Sequence, residues 1–372
     1  MVDYEVRLYL NGNLLGDIRS FAEGLKWTRR RTKIGVDEID FNVNDKVFND
    51  WCVERNTDIN TVLRPFALEC RVLRNGVPVI GGFLATMPAY APMGASATLS
   101  LKFDGYLNLL NGVYINPIGT VTGRMGALVK RFIDLANTRS AGGGKSYGFV
   151  ANNIGSLAKV DHTFDNYKTV KEWICDRCDN TTGAGPFDVY FYADKRYDVK
   201  ASNKFGDNIT NYVINYPTIL NGASAVSISA DEVSGIATSI IGIGAGEVSS
   251  NKAKNTAIIS KATDSEKVAK YGYYETLITD SSISKQSTLN QKIQTELYYD
   301  ANPIWRPTIN LVGNVIEPTP NADIKIWIGD VVTIKNDEDL TGMTNGKFKV
   351  NELAVTVSAS NGEQIAPVLE RV

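Results

Sequence analysis

The sequence predicts a mainly β protein with an α+β insertion: two related β-barrel domains plus a small α+β unit. Three observations carry this. Residues 1–105 and 216–372 consist of short runs in which apolar and polar side chains alternate, separated by Gly-containing turns. Residues 106–215 switch to helical spacing. Three strand segments of the first part are also echoed in the last. Cys70 and Val72, Gly82-Phe83-Leu84 and Leu99-Ser100-Leu101 recur in order, with similar gaps, as Val332 and Ile334, Gly346-Lys347-Phe348 and Ile365-Ala366-Pro367. The expected units are a first barrel over 1–105, the α+β insertion over 106–215, and a second barrel with one helix over 216–372.

In the first unit, Tyr4 to Leu10 sets Val6, Leu8 and Leu10 on one face, and Asn11-Gly12 is a hairpin turn into Leu14 to Ile18. Leu25 to Thr32 and Glu38 to Asn44 form a second pair. The run Arg29-Arg30-Arg31 within it reads as a solvated strand edge, with contact to an acidic partner subunit as the alternative. Lys46 to Glu54 is a short helix with Val47, Trp51 and Phe48 inward. Phe66 to Leu73, Val77 to Thr86 and the segment of Leu99, Leu101 and Phe103 complete the strands.

In the insertion, Met125, Leu128, Val129, Phe132, Leu135 and Ala136 recur at helical spacing behind a Thr122 N-cap. Thr169-x-x-Glu172 is a capping box for a helix with Val170, Trp173, Ile174 and Cys178 on one stripe. Phe187 to Tyr192 and Arg196 to Ala201 read as strands. Tyr216 to Glu247 then leads out of the insertion and into the second barrel. Val226 and Ile228 alternate with serines, and a second run, Ile236 to Ile241, ends in Gly242, Gly244 and Gly246. These strands are expected beside the first barrel or bridging the two. Asn251 to Lys267 reads as a polar loop, Tyr271 to Thr279 as a strand and Thr288 to Asp300 as a helix. Ile309 to Val315, Val331 to Ile334, Lys347 to Val357 and Gln364 to Leu369 complete the set.

Composition narrows the function classes. A length of 372 residues gives each of two or three domains its own core, and 43% hydrophobic with 22% charged residues is ordinary for a folded protein. A net charge of −2 argues against a large nucleic-acid footprint. No apolar run approaches 18 residues, so no membrane span is expected. The N-terminus starts a strand without a signal-peptide pattern, which predicts folding in a cytoplasm. Four cysteines do not make a disulfide framework.

Motifs for chemistry are weak. The single histidine, His162, has no G-x-S-x-G elbow to partner it and reads as a structural surface residue. Cys175-x-x-Cys178 lies inside a helix rather than at its N-terminus and lacks a second pair, so both cysteines read as core. Gly142-Gly143-Gly144-Lys145-Ser146 resembles the end of a phosphate loop, but Arg139 stands where the first Gly belongs and a helix precedes it. Gly242-x-Gly244-x-Gly246 fails the dinucleotide pattern at Glu247. No catalytic, cofactor-binding or metal-binding residue is assigned, no cofactor is expected, and the protein is expected not to be an enzyme.

The order of parts resembles phage tail hub proteins: the tail-tip hub of long non-contractile tails and the related baseplate hub of contractile tails. The matching pieces are YEVRLYLNGNLLGDI, VLRNGVPVIGGFLATMP followed by ATLSLKFDGYLNLL, KTVKEWICDRCDN with FDVYFYADKRYDVK, SISADEVSGIATSIIGIGAG, KYGYYETLITDSS, STLNQKIQTEL and IWIGDVVTIKN. The resemblance implies a structural virion protein at the tail tip, assembled in the host cytoplasm. It implies a homotrimer whose two barrels per chain make a pseudo-sixfold ring under a sixfold tail. The partners implied are a distal tail ring protein, a tape-measure protein and a receptor-binding protein or fibre, with DNA passing through the channel without specific binding. Loops 141–147 and 251–267 are candidates for gating or subunit contact. Many relatives carry a C-terminal peptidase or fibre module; this chain stops at Val372, so no lytic role is expected. The competing classes are a tail-associated cell-wall hydrolase and a carbohydrate-binding adhesion module. The 17 Tyr and 5 Trp favour the latter, but Trp27, Trp173 and Trp327 fall in core patterns.

Overall fold

The computed structural model describes residues 2–93, 96–142, 146–178, 186–206, 208–216, 225–232, 237–248, 256–281, 283–300, 305–311, 326–337, 345–358 and 362–371. Residues 143–145 and 251–255 of the two candidate loops, Ile236, and Val312 to Val315 of an expected strand lie outside them. Strands dominate, with helices between.

The first part opens with β1 (Tyr4–Leu10) and β2 (Asn13–Asp17). Asn11 and Gly12 both have positive φ, 52° and 88°, the two-residue turn that the Asn-Gly pair favours. Then come β3 (Glu23–Arg30), β4 (Glu38–Asn44), α1 (Asp45–Val53) and α2 (Ile59–Val62). Asn44 caps α1. Phe48 and Trp51 turn inward, but Val47 is exposed, because the helix lays only one stripe on the sheet. β5 (Leu68–Arg74), β6 (Val77–Leu84), β7 (Ala89–Met93) and β8 (Ser96–Gly105) follow.

The middle contains β9 (Tyr114–Ile115), β10 (Gly119–Arg124), α3 (Met125–Gly142), β11 (Val150–Ile154), β12 (Lys159–Phe164), β13 (Lys168–Thr169), α4 (Val170–Cys178), β14 (Phe187–Phe191) and β15 (Arg196–Ala201). Thr122 is not a cap: it lies in β10, and its hydroxyl donates to Asp161. The Thr169 box does form. Thr169 Oγ1 accepts from the Glu172 N–H at 3.1 Å, and Glu172 accepts from the Thr169 N–H at 2.9 Å. Phe132 packs edge-on against Phe164 and Trp173 within this region's core.

The last part contains β16 (Asn208–Tyr216), β17 (Ala225–Glu232), β18 (Ser239–Ile243), β19 (Ile259–Thr263), α5 (Ser265–Tyr271), β20 (Glu275–Thr279), α6 (Gln286–Asp300), β21 (Trp305–Leu311), β22 (Val331–Asn336), β23 (Gly346–Ser358) and β24 (Gly362–Arg371). Much of the expected 251–267 loop is thus strand and helix. The Tyr216 to Glu247 stretch splits between two sheets: β17 joins the large sheet through β21, while β18 is the middle strand of a three-stranded sheet with β19 and β20. α6 covers one face of that small sheet through Leu289, Ile293 and Leu297.

The main sheet has 14 strands along the path β17-β21-β24-β23-β3-β4-β8-β6-β5-β1-β2, with β16, β22 and β7 attached beside it. Two five-strand sets repeat within it. In chain order β3, β4, β5, β6 and β8 correspond to β17, β21, β22, β23 and β24. In both sets the first strand pairs with the second, the second with the fifth, the fifth with the fourth and the fourth with the third, always antiparallel. The echo in the sequence is therefore an echo in topology. Among the described residues the path is open at β17 and β2 rather than closed into a ring. A single core cluster, from Tyr4 to Leu369, runs under both sets. No described helix is long and apolar enough to cross a membrane.

Candidate functional site at the seam between the two halves

The two five-strand sets meet where β3 lies antiparallel to the far part of β23, from Arg30 opposite Glu352 to Leu25 opposite Val357. Period 2 puts Leu25, Trp27, Arg29 and, just past the strand, Arg31 on one face, and all four are buried. The arginine run is therefore not a solvated edge. Its acidic and polar partners lie in this same chain.

Arg29 forms an ion pair with Asp37. It also donates to the Phe191 carbonyl at 2.9 Å and the Tyr190 hydroxyl at 2.6 Å, and sits 4.4 Å from the Tyr190 ring centroid. Arg30, on the other face, donates to Glu352 across the seam at 2.8 Å. Arg31 donates to Asp188 of β14 at 2.7 Å and to Asn351 of β23 at 2.8 Å. Three adjacent arginines thus tie the first half to the middle region and to the second half. A parallel tie stands at the sheet's far side. Arg74, fully buried, pairs with Glu363 at 2.8 Å, and the Tyr4 hydroxyl donates to the same carboxylate at 2.8 Å. Burial, then the Glu363 charge, pushes the Tyr4 phenol up.

The middle region docks on the second half through backbone contact as well. Gly206 and Gly329 meet so closely that a Cβ on Gly206 would stand 2.1 Å from the Gly329 carbonyl carbon. Both have positive φ, so glycine is required twice over. Beside them a cleft of about 390 Å³ is lined by Tyr190, Tyr192, Asp198, Phe205 and Trp327. Lys349 of β23 donates to the Ser202 carbonyl of the middle region, and burial, then the Arg31 charge, lowers it to about 8. A second cleft, of about 580 Å³, lies between the first half and the middle region. Phe66 on its rim is 65% exposed, has φ of 63° and stacks on Phe83 at 5.3 Å. Inside it, Glu69 pairs with Lys195 at 2.7 Å and accepts from Tyr106 at 2.6 Å.

The residues screened for chemistry are dispersed. His162 is buried rather than on the surface, packed on Phe164 and Trp173, with ring centroids 4.4 and 5.9 Å away. Burial first, then the Arg177 and Lys168 charges, lowers it to about 4. Cys178 is buried and Cys175 half-buried, and both pack on the core side of α4. Among the described residues no group of three or more His, Cys, Asp or Glu is placed to hold a metal ion. Gly242 explains the glycine spacing in β18. A Cβ there would stand 2.5 Å from Ile293 of α6, so the residue is glycine to let the helix lie on the strand.

Residues 222–365 match a family model described as Prophage endopeptidase tail. A search of the curated proteins finds no match. Three solved structures are similar over nearly the whole chain. The 43 kDa tail protein of prophage MuSo2 from Shewanella oneidensis has a TM-score of 0.65 at 14% identity, covering 99% of this chain and 98% of that one. The tail protein from Neisseria meningitidis MC58 has a TM-score of 0.60 at 14% identity, covering 99% and 96%. Prophage tail protein gp18 from Listeria monocytogenes EGD-e has a TM-score of 0.56 at 13% identity, covering 98% and 94%. With the repeated sheet and these likenesses together, residues 222–365 carry the pattern of the Prophage endopeptidase tail family, and the chain has the fold of prophage tail proteins, as its resemblance to phage tail hubs implies.

Proposed function

We propose that this chain is the structural hub at the distal end of a phage tail and that three copies form it. The observation that carries the reading is the five-strand topology found twice in one chain. Three copies of a twofold-repeated chain present six similar strand sets, which lets a threefold tip meet a sixfold tail ring. On this reading each set is one of two barrel-like units, with the divisions 1–105, 106–215 and 216–372. The hub contacts a distal tail ring protein, a tape-measure protein and a receptor-binding protein or fibre. It closes or continues a channel whose near-neutral wall lets DNA slide, since Lys and Arg contacts to phosphate dominate DNA binding. It takes part in host attachment and DNA ejection as a scaffold, without catalysis. Light scattering tests the assembly: a mass of three chains of 40.7 kDa supports the trimer, and a monomer over the micromolar range sinks it. Imaging of virions, with three copies at the tail end, tests the location.

A second reading has one specific support. The family description carries the word endopeptidase. Incubation of the purified chain with peptidoglycan separates the two, since release of peptide fragments would favour a tail-associated hydrolase.

A further inference from the structure

Every pairing within one five-strand set has its counterpart in the other, but among the described residues the pairing between the sets occurs once. β3, the first strand of the first set, lies along the outer edge of β23, the fourth strand of the second set. The reciprocal junction would join β17, first strand of the second set, to the fourth strand of the first set. That fourth strand is interrupted. β6 and then β7 pair with β8, where the single 13-residue β23 pairs with β24 nearly end to end. The segment of the first set that matches the β3-bound part of β23 is β7, the part next to the hairpin turn. Among the described residues, β17 pairs only with β21 and β7 only with β8.

From this we infer that the outer edge of β17 in one copy pairs with the outer edge of β7 in the next, reproducing between chains the β3–β23 junction within the chain. The inference rests on the trimer reading and adds to it the contact that builds the ring. The physical drive is the row of unpaired N–H and C=O groups that an edge strand presents, which another strand satisfies. The two edges are different patches of the surface, so the contact is heterologous and generates a ring when its rotation closes. The occupant is a second copy of this chain, because the matching junction is one that this sequence already makes with itself. Pro92 stands near the end of β7 and offers no N–H, so it removes at most one bond from the ladder.

Alternate residues of a strand point their N–H groups to opposite edges. Of Ser227→Pro and Ile228→Pro, one therefore removes a donor from the outer edge of β17 and the other a donor from the β21 ladder. By light scattering, the outward variant is expected to fall from a mass of three chains to one with an unchanged far-ultraviolet spectrum. Hydrogen exchange on the unaltered protein gives a measure that does not depend on the variants folding. Residues 89–93 and 225–232 are expected to be protected in the trimer and to lose that protection on dilution to monomer. A trimer in which both segments exchange as freely as in the monomer overturns this junction and leaves the trimer reading intact. A protein that is monomeric at every concentration overturns both.

Discussion

Arg31 and Asp188 form an ion pair at 2.7 Å with side chains only 5% and 2% exposed, joining the end of β3 to the start of β14 across 157 residues of chain. Ser202 donates to the same carboxylate at 2.7 Å, and Asn351 takes another arm of the guanidinium. Removing one partner leaves a buried charge uncompensated. Arg31→Ala or Asp188→Asn is expected to cost about 3–5 kcal/mol, measured as a shift of the urea midpoint. The double variant Arg31→Met with Asp188→Leu is expected to lose less than either single change, because it leaves no charge behind.

The packing of α6 on β18 depends on Gly242. Gly242→Val places methyl groups where Ile293 and Leu289 already stand. Overpacking of this kind costs about 1–3 kcal/mol, and the loss is expected to appear first as faster hydrogen exchange in β18 and α6.

His162 makes stability depend on pH. Its folded value is lowered to about 4 from an ordinary 6.5. Between those values the unfolded chain takes up a proton that the folded chain refuses. Stability from this group is therefore full above about pH 6.5, falls as the pH drops towards 4, and falls no further below that. The span corresponds to roughly 3 kcal/mol. In His162→Phe, which keeps the aromatic packing on Trp173, the part of the pH slope between 6.5 and 4 is expected to vanish in denaturant titrations.

The capping box at α4 is a smaller contribution. Thr169→Ala removes the oxygen that accepts from Glu172 N–H and is expected to cost about 1 kcal/mol by thermal unfolding, without a change of mass in light scattering.

Much of this fold is legible in local residue patterns, and what is not has a common cause. Asn11-Gly12 and Asn75-Gly76 mark their turns because few residues besides Asn and Gly take positive φ at low cost, and both pairs do so. The Thr169 box and the Trp173 stripe are equally local. The arginine run misleads because its charge suggests solvent while its period places Arg29 and Arg31 on the face of Trp27; Asp188 and Asn351 lie too far along the chain to be seen. α5 is missed because none of its residues is buried, so no apolar stripe announces it; its local signals are the caps, Asp264 before it and Gly272 after it. The repeat is legible as spacing in three segments. That the two sets share one continuous sheet is not, since it rests on the β3–β23 register, set by residues more than 300 positions apart.

β23, a strand of the second set, also carries the first set on its edge. Its first residues, Gly346 to Lys349, pair with β22, and Glu352 to Val357, on the same edge, pair with β3, while β24 follows the other edge. A pull along the strand direction that tries to part the halves loads this whole register in shear, so the backbone hydrogen bonds resist together rather than one after another. Arg30–Glu352 clamps this boundary through side chains, and Arg74–Glu363 ties β5 of one half to β24 of the other. Among the described residues the two similar halves are therefore joined through this register, and tension entering one is carried by the other.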